Sequence, residues 1–176
     1  LGVQYINKKD LEYGSVLLDL DSEKISLGLF KNLAIVHSIT FPFGIDHITK
    51  DISKVCSLNL EESKNIRNKI DYSFQNDQDL FDESSNLKNT YFIDTNFRKI
   101  SKNLIFDVIK SRLDEIIDKL KKQLIVPGFN LNTGINFLIF GNGANLLNID
   151  KYFVNFFGQN VKCIDKSKLR EKKDME

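Results

Sequence analysis

The chain has 176 residues, of which 41% are hydrophobic and 28% are charged, a balance typical of folded globular proteins rather than disordered ones. Its net charge of +1 provides no overall attraction to nucleic acid or to an anionic membrane. No apolar run approaches the roughly 20 residues of a membrane-spanning helix. Two cysteines and two histidines are too few for a zinc site or a disulfide framework, so we expect a reduced, cytoplasmic protein. From the net charge we expect no nucleic-acid partner.

The two ends of the chain suggest a piece of a longer protein. Leu1 is not a methionine, and no basic-then-apolar signal segment follows it. The tail over 166–176 alternates charges without an apolar stripe, so we expect it to fray.

Three β-prone runs open the fold. Residues 16–20, 25–30 and 33–39 are rich in β-branched and other apolar residues, and short polar turns at 21–24 and 31–32 separate them. Such turns favour antiparallel hairpins. Pro42 and Gly44 then end the meander.

Helical periodicity follows. Apolar residues recur at helical spacing over 45–57, and Asn59 stands three residues before Glu62, as in a capping box that starts a second helix ending near residue 70. Residues 71–89 are polar enough to predict a long, mobile surface loop, followed by a short strand at 91–94. Ser101 or Asn103 is expected to cap a long amphipathic helix that runs to about residue 124.

The last elements alternate strand and helix. Residues 136–140 predict a strand that ends in the turn Gly141, Asn142 and Gly143. A helix is predicted from about 144 to 157, where Gly158 stops it, and residues 161–164 predict a final strand.

Four segments of the sequence resemble the FtsA family of bacterial cell-division proteins. The run Pro-Phe-Gly-Ile-Asp-His-Ile-Thr-Lys-Asp-Ile at 42–52 is similar to the family's Pro-x-Gly-Gly-Asp/Asn-His-Ile/Val-Thr-x-Asp-Ile. The helix start Leu-Glu-Glu-Ser at 60–63, the helix at 108–116 and the strand, glycine turn and helix at 137–149 also resemble family segments. The matching pieces keep their order over about residues 13–164.

The resemblance implies an α/β fold, an actin-like (ribonuclease-H-like) half. A mixed five-stranded sheet with helices would be built from 1–44 and 135–165, the nucleotide-side lobe. A small α+β subdomain would be inserted at 45–134. The N-terminal lobe of the actin-like fold, with its first phosphate loop, is expected to lie outside this chain. The same is expected of the family's C-terminal membrane-binding helix.

The family's function is implied with the fold. The protein would be a non-enzymatic adaptor that binds the tail peptide of FtsZ and links FtsZ filaments to the cytoplasmic face of the inner membrane at the division septum. It would also self-associate through its actin-like lobes. Two alternatives stay open: an ATP-binding actin-fold ATPase or chaperone-like protein, and an actin-like scaffold of pilus or secretion machinery.

The family's phosphate loop is altered here. Relatives carry Asp-x-Gly-Gly-Gly-Thr-Thr-Asp, whose glycines let backbone N–H groups approach the phosphates of ATP, the family's cofactor together with Mg²⁺. This sequence aligns Asp19 with the first aspartate and then continues Leu-Asp-Ser-Glu-Lys-Ile-Ser without a glycine. Asp21 and Glu23 would repel a triphosphate, and Lys24 would offset only part of that repulsion. A plain hairpin with weak or no ATP binding is the favoured interpretation, and a retained, reshaped site is the alternative.

The glycine turn offers the remaining cofactor residues. Gly141, Asn142 and Gly143 match the family's adenosine motif, so with Asp19 they form the candidate nucleotide site. The alternative is a tight turn that only lets strand and helix pack closely. His47 is interpreted as a residue of the helix start, because no nucleophile accompanies it.

Arg112 and Glu115 are the candidate partner site. They stand three residues apart, so they share one face of the predicted long helix. The matching pair in the family helps to hold the FtsZ tail, a short acidic and apolar peptide that closes with a basic residue. Arg112 would clamp a peptide carboxylate and Glu115 a basic group. The alternative is a routine surface ion pair.

Overall fold

A mixed five-stranded sheet forms the centre of the computed structural model, which describes residues 6–75, 79–127, 129, 134–158 and 160–164. The sheet order is β3-β2-β1-β4-β5. β1 pairs antiparallel with β2 and parallel with β4, and β5 runs parallel to β4 at the edge. The strands are β1 Ser15–Leu20, β2 Ile25–Lys31, β3 Ala34–Phe41, β4 Asn136–Phe140 and β5 Val161–Cys163.

All five predicted sheet strands are thereby confirmed, with one shift in a turn. The β2–β3 connection is centred on Asn32 and Leu33, both at positive φ (52° and 64°), rather than on 31–32. Two successive residues at positive φ give the backbone twist that a tight hairpin requires. The predicted tail at 166–176 lies outside the described residues.

Five helices accompany the sheet in the described part of the chain: α1 Lys8–Tyr13, α2 Asp46–Cys56, α3 Leu60–Lys69, α4 Lys102–Gln123 and α5 Ile149–Phe157. Two of their starts follow the predicted signals. Asn59 and Glu62 form the capping box of α3, and the Ser101 side chain accepts the N–H of Leu104 at the start of α4. As its predicted amphipathic character requires, α4 buries an apolar stripe of Ile105, Ile109, Leu113, Ile116 and Leu120. α1 was not predicted.

Two predicted elements are wrong. No strand forms at 91–94: a 3₁₀ turn, Asn89–Tyr91, is followed by a bend whose N–H groups donate to the Glu62 carboxylate instead of to a neighbouring strand. The single helix predicted over 144–157 is a 3₁₀ turn, Asn142–Asn145, and then α5. Asn148 lies between them at φ 60°, which an α-helix cannot contain.

The segment 71–89 differs from the surface loop that its polar composition predicts. Tyr72, Leu80, Phe81 and Leu87 are all buried within it. Isolated bridges join Phe81 to Leu87 and Asn86 to Ser101. Polar residues therefore make up most of this loop, but its few apolar residues anchor it to the core.

One large hydrophobic core joins the sheet to the helices. Alternate β1 residues, such as Val16 and Leu18, face this core together with residues of α2, α4 and α5. The opposite face of the sheet carries a smaller cluster of Ile6, Leu17, Phe30, Leu138 and Phe140. The described part of 45–134 contains helices and isolated bridges rather than strands, and its division from the sheet lobe stays a prediction. No described helix is long and apolar enough to cross a membrane.

Candidate functional site

The four predicted cofactor residues lie together at the ends of β1 and β4. Asp19 is opposite Phe140 in the parallel β1–β4 register, and the turn begins at the next residue, Gly141. The side chain of Asn142 donates to Oγ of Ser22 at 3.1 Å. The structure thus brings the glycine turn against the β1–β2 turn, as expected if both belonged to one site.

Both glycines of this turn are required by packing within the protein. Gly141 has φ 91°, and a Cβ there would lie 2.5 Å from Oδ1 of Asp19. A Cβ on Gly143 would lie 2.4 Å from Cγ of Leu20. The absence of side chains therefore lets the turn sit directly on the end of β1, which supports the tight-turn interpretation without requiring a bound nucleotide.

The β1–β2 turn presents carbonyl oxygens to the start of α2. The carbonyl of Asp21 accepts the N–H of Ile45 at 3.0 Å, and the carbonyl of Ser22 accepts the N–H of Asp46 at 2.9 Å. The N–H of Asp21 donates across the turn to the carbonyl of Lys24. A phosphate cradle needs converging N–H donors. The hydrogen bonds of this turn instead hold two protein segments together.

The run that carries the family resemblance lies at that same contact. Nδ1 of His47 accepts the N–H of Gly44 at 3.4 Å, so its imidazole contacts the backbone that leads into α2. Asp46 pairs with Nη1 of Arg67 at 2.7 Å, and the Arg67 side chain is only 5% exposed. Both polar residues therefore have structural partners, which agrees with the interpretation of His47 as a residue of the helix start.

Arg112 and Glu115 touch on α4, as their spacing predicts, with Nη1 of Arg112 donating to Oε2 of Glu115. The structure adds a third member that the sequence interpretation missed. Asp51 of α2 accepts from Nε of Arg112 at 2.6 Å and from Nη2 at 3.1 Å, a bidentate pair between the two helices. The hydrogen bond to Asp51 raises the pKa of Arg112, so the guanidinium stays charged. The position of Asp51 in the family-like run was the available signal.

A groove of about 370 Å³ opens beside this triad between α2 and α4. Its apolar surface comes from Val108 and from Val55, which is 50% exposed. Its charged lining consists of Asp51, Asp107, Glu115 and Arg112. Two of these carboxylates, Asp51 and Glu115, bind the Arg112 guanidinium, and Nζ of Lys119 lies 3.6 Å from Oε1 of Glu115. An apolar floor with charged walls is suited to a short peptide that carries both apolar and charged side chains.

Comparison with known proteins identifies the family. The family model for cell division protein FtsA matches residues 16–174, nearly the whole chain. The resemblance stated from the sequence motifs is confirmed. No curated protein sequence matches the chain significantly.

Solved structures show the same fold at low sequence identity. MreB5 of Spiroplasma citri bound to AMPPNP aligns with TM-score 0.67 and 20% identity, over 99% of this chain and 57% of that one. A non-polymerising MamK mutant bound to AMPPNP gives 0.63 and 11%, over 86% and 50%. The PilM–PilN type IV pilus biogenesis complex gives 0.59 and 14%, over 89% and 37%. The predicted actin-like α/β fold is confirmed, and the chain spans between 37% and 57% of these three solved chains.

Proposed function

We propose a function from one established premise: the chain belongs to the family of cell division protein FtsA. The protein is an actin-like division adaptor, not an enzyme, and this chain holds its binding site for the tail peptide of FtsZ. The whole protein links FtsZ filaments to the cytoplasmic face of the inner membrane at the division site and self-associates through its actin-like lobes. The membrane link is a property of the whole protein, and peptide binding is the part that this chain carries.

The observation that carries the proposal is the groove beside Arg112. It combines the family-like Arg and Glu pair with exposed apolar surface from Val55 and Val108. Arg112 would take a carboxylate of the tail in a charge-assisted hydrogen bond, and Glu115 would take its basic residue. Apolar side chains of the tail would cover the two valines.

Fluorescence anisotropy with a labelled FtsZ tail peptide tests this function. Arg112→Glu should weaken binding by about 5-fold to 150-fold, the equivalent of the 1–3 kcal/mol expected for hydrogen bonds to charged groups. Lys122→Glu makes the same charge change on an exposed position near the end of α4 and should leave affinity within about twofold. Because Arg112 also ties α2 to α4, its substitution should lower stability slightly, so folding is checked by circular dichroism at the assay temperature. Equal affinities for both variants would place the peptide site elsewhere.

We also infer that nucleotide binds weakly or not at all. ATP with Mg²⁺ is implied by the family, but the β1–β2 turn does not fit a triphosphate. It carries the carboxylates of Asp21 and Glu23, and the carbonyls of Asp21 and Ser22 are engaged by the start of α2. Isothermal titration of the full-length protein with ATP and Mg²⁺ should show no binding at micromolar concentrations. A dissociation constant in the low micromolar range would contradict the inference and favour the alternative, an ATP-binding actin-fold ATPase.

A scaffold of pilus or secretion machinery remains the other alternative, since the similarity to the PilM–PilN complex concerns the fold alone. The two functions differ in the peptide that the protein recognises. A division adaptor should bind the FtsZ tail through Arg112, whereas a pilus scaffold should not respond to that peptide at all.

A further inference from the structure

Arg112 is already engaged on both sides in the free protein. Asp51 takes Nε and Nη2 in a bidentate pair, and Glu115 takes Nη1. A guanidinium has five N–H groups, so three are used and two remain. The bidentate edge is the part of Arg that matches a carboxylate best, and Asp51 occupies it.

Asp51 therefore stands where a peptide carboxylate would bind most strongly. The Arg112 and Asp51 side chains are 23% and 29% exposed, so the pair lies at the groove wall and within reach of a ligand. An incoming carboxylate must displace Asp51 or accept from the remaining N–H groups. In the first case it must break the bidentate pair with Asp51, and in the second it meets a guanidinium whose charge is already balanced. In both cases the carboxylates of Asp107 and Glu115 line the same groove and repel it.

We propose that Asp51 determines the charge selectivity of the peptide groove by competing with peptide carboxylates for Arg112. This inference rests on the proposed function, because it assumes that the groove between α2 and α4 binds the FtsZ tail. With Asp51 in place, an acidic residue of the peptide gains only part of the affinity that an unoccupied guanidinium would give, and the apolar and basic side chains supply the rest of the recognition. Without Asp51, Arg112 becomes a strong site for a peptide carboxylate. Asp51 is a positioning residue here, since it acts through Arg112.

The selectivity of two matched peptides measures this competition. One labelled peptide has the natural FtsZ tail sequence, and the other has its acidic residues replaced by the corresponding amides. The natural chain should prefer the acidic peptide by about fivefold, the lower end of the range expected for the Arg112 contact. Asp51→Asn should raise this preference by about a further tenfold, whereas Asp51→Glu, which keeps a carboxylate, should retain the selectivity of the natural chain.

Two controls separate the competition from general effects. Glu83→Gln removes one negative charge from an exposed loop and should leave the ratio of affinities unchanged. The double variant Asp51→Asn with Arg112→Gln should lose the preference for the acidic peptide, because the guanidinium is gone. The ratio compares two peptides on one protein sample, so partial unfolding of a variant cannot produce it. Asp51→Ala gives a second test of the same ratio.

The outcomes distinguish the inference from the proposed function. A stronger preference for the acidic peptide in Asp51→Asn and Asp51→Ala than in the natural chain, lost in the double variant, supports the competition. Unchanged ratios in both single variants, with the tail peptide still bound, overturn the inference and leave the proposed function standing. If neither peptide binds the natural chain or any variant, the proposed function fails and the inference fails with it.

Discussion

Glu62 is a buried carboxylate that accepts hydrogen bonds from four backbone N–H groups. Its side chain is fully buried, and its carboxylate accepts the N–H groups of Ile93, Asp94 and Thr95 at 2.7–3.0 Å and that of Asn59 at 2.9 Å. The hydroxyl of Thr95 also donates to it. Burial alone would raise the pKa of Glu62, but the hydrogen bonds of Thr95, Asn59 and Asp94 outweigh it and lower the pKa to about 2. One charge therefore caps α3 and fixes the bend after the 3₁₀ turn.

Glu62→Gln should destabilise the protein by about 1–3 kcal/mol near neutral pH. The amide replaces one acceptor oxygen with an NH₂ group, which cannot accept the hydrogen bonds of the surrounding N–H donors. The free energy of unfolding is measured by urea denaturation, with the exposed neighbour Glu61→Gln as the control. A depressed pKa contributes stability that is complete above about 4.5, the unfolded value, and is lost as the pH falls towards 2. The difference between the natural chain and Glu62→Gln should therefore shrink over this range. A difference that stays constant from pH 7 to pH 2.5 would show that the charge of Glu62 does not stabilise the fold.

The polar residues of the family-like run at 46–51 show the same principle at separate positions. Asp46 pairs with Arg67, His47 accepts the N–H of Gly44 and Asp51 pairs with Arg112. Each partner except Gly44 lies on another helix. The residue types of this run therefore serve contacts between elements, which local helix propensity could not have required.

At the scale of elements, the start of α2 docks on the β1–β2 turn through close backbone approach. A Cβ on Gly44 would lie 2.3 Å from the carbonyl oxygen of Asp21 and 2.5 Å from that of Ser22. Only a residue without a side chain allows the N–H groups of Ile45 and Asp46 to reach those carbonyls. The glycine thus sets the position of α2, and through α2 the position of one wall of the groove.

Gly44→Ala should cost about 1–3 kcal/mol of stability, the range for overpacking, because backbone atoms must move to admit the methyl group. Gly28→Ala in β2 is the comparison, since its added Cβ would meet a side chain, the ring of Phe30, at 3.1 Å rather than backbone. Thermal and urea unfolding should show the larger loss for Gly44→Ala. If Gly28→Ala were the more damaging of the two, close backbone approach would not control the docking of α2.

At the scale of the whole molecule, one hydrophobic core continues from the sheet into the helices. Val16 and Leu18 of β1 belong to the same cluster as Ile48 of α2 and Ile109 of α4. A lobe and a subdomain that share a core cannot lose their packing independently. We therefore expect the predicted division at residues 45 and 134 to leave no separate unfolding unit.

Leu18→Ala in the sheet and Ile109→Ala in α4 should each lower the stability of the whole chain by about 2–5 kcal/mol, the range for large-to-small core substitutions. Urea denaturation is followed by far-ultraviolet circular dichroism and by tyrosine fluorescence. Both probes should move together to a lower midpoint in each variant. Transitions that separate in Ile109→Ala but coincide in Leu18→Ala would show that the helical part unfolds by itself.

The sequence by itself determined the order of the strands along the chain, the capping box of α3 and the apolar stripe of α4, because turn residues and periodicity act over a few positions. The family followed from the resemblance of four segments to family motifs. The pairing of Asp51 with Arg112 spans 61 residues, and that of Glu62 with Thr95 spans 33. Only the tertiary structure decided these contacts, since such distant residues meet only when helices pack on a common core. The same reason explains the wrong strand at 91–94, because the N–H groups of Ile93 and Asp94 donate to the buried Glu62 carboxylate of α3 rather than to a neighbouring strand.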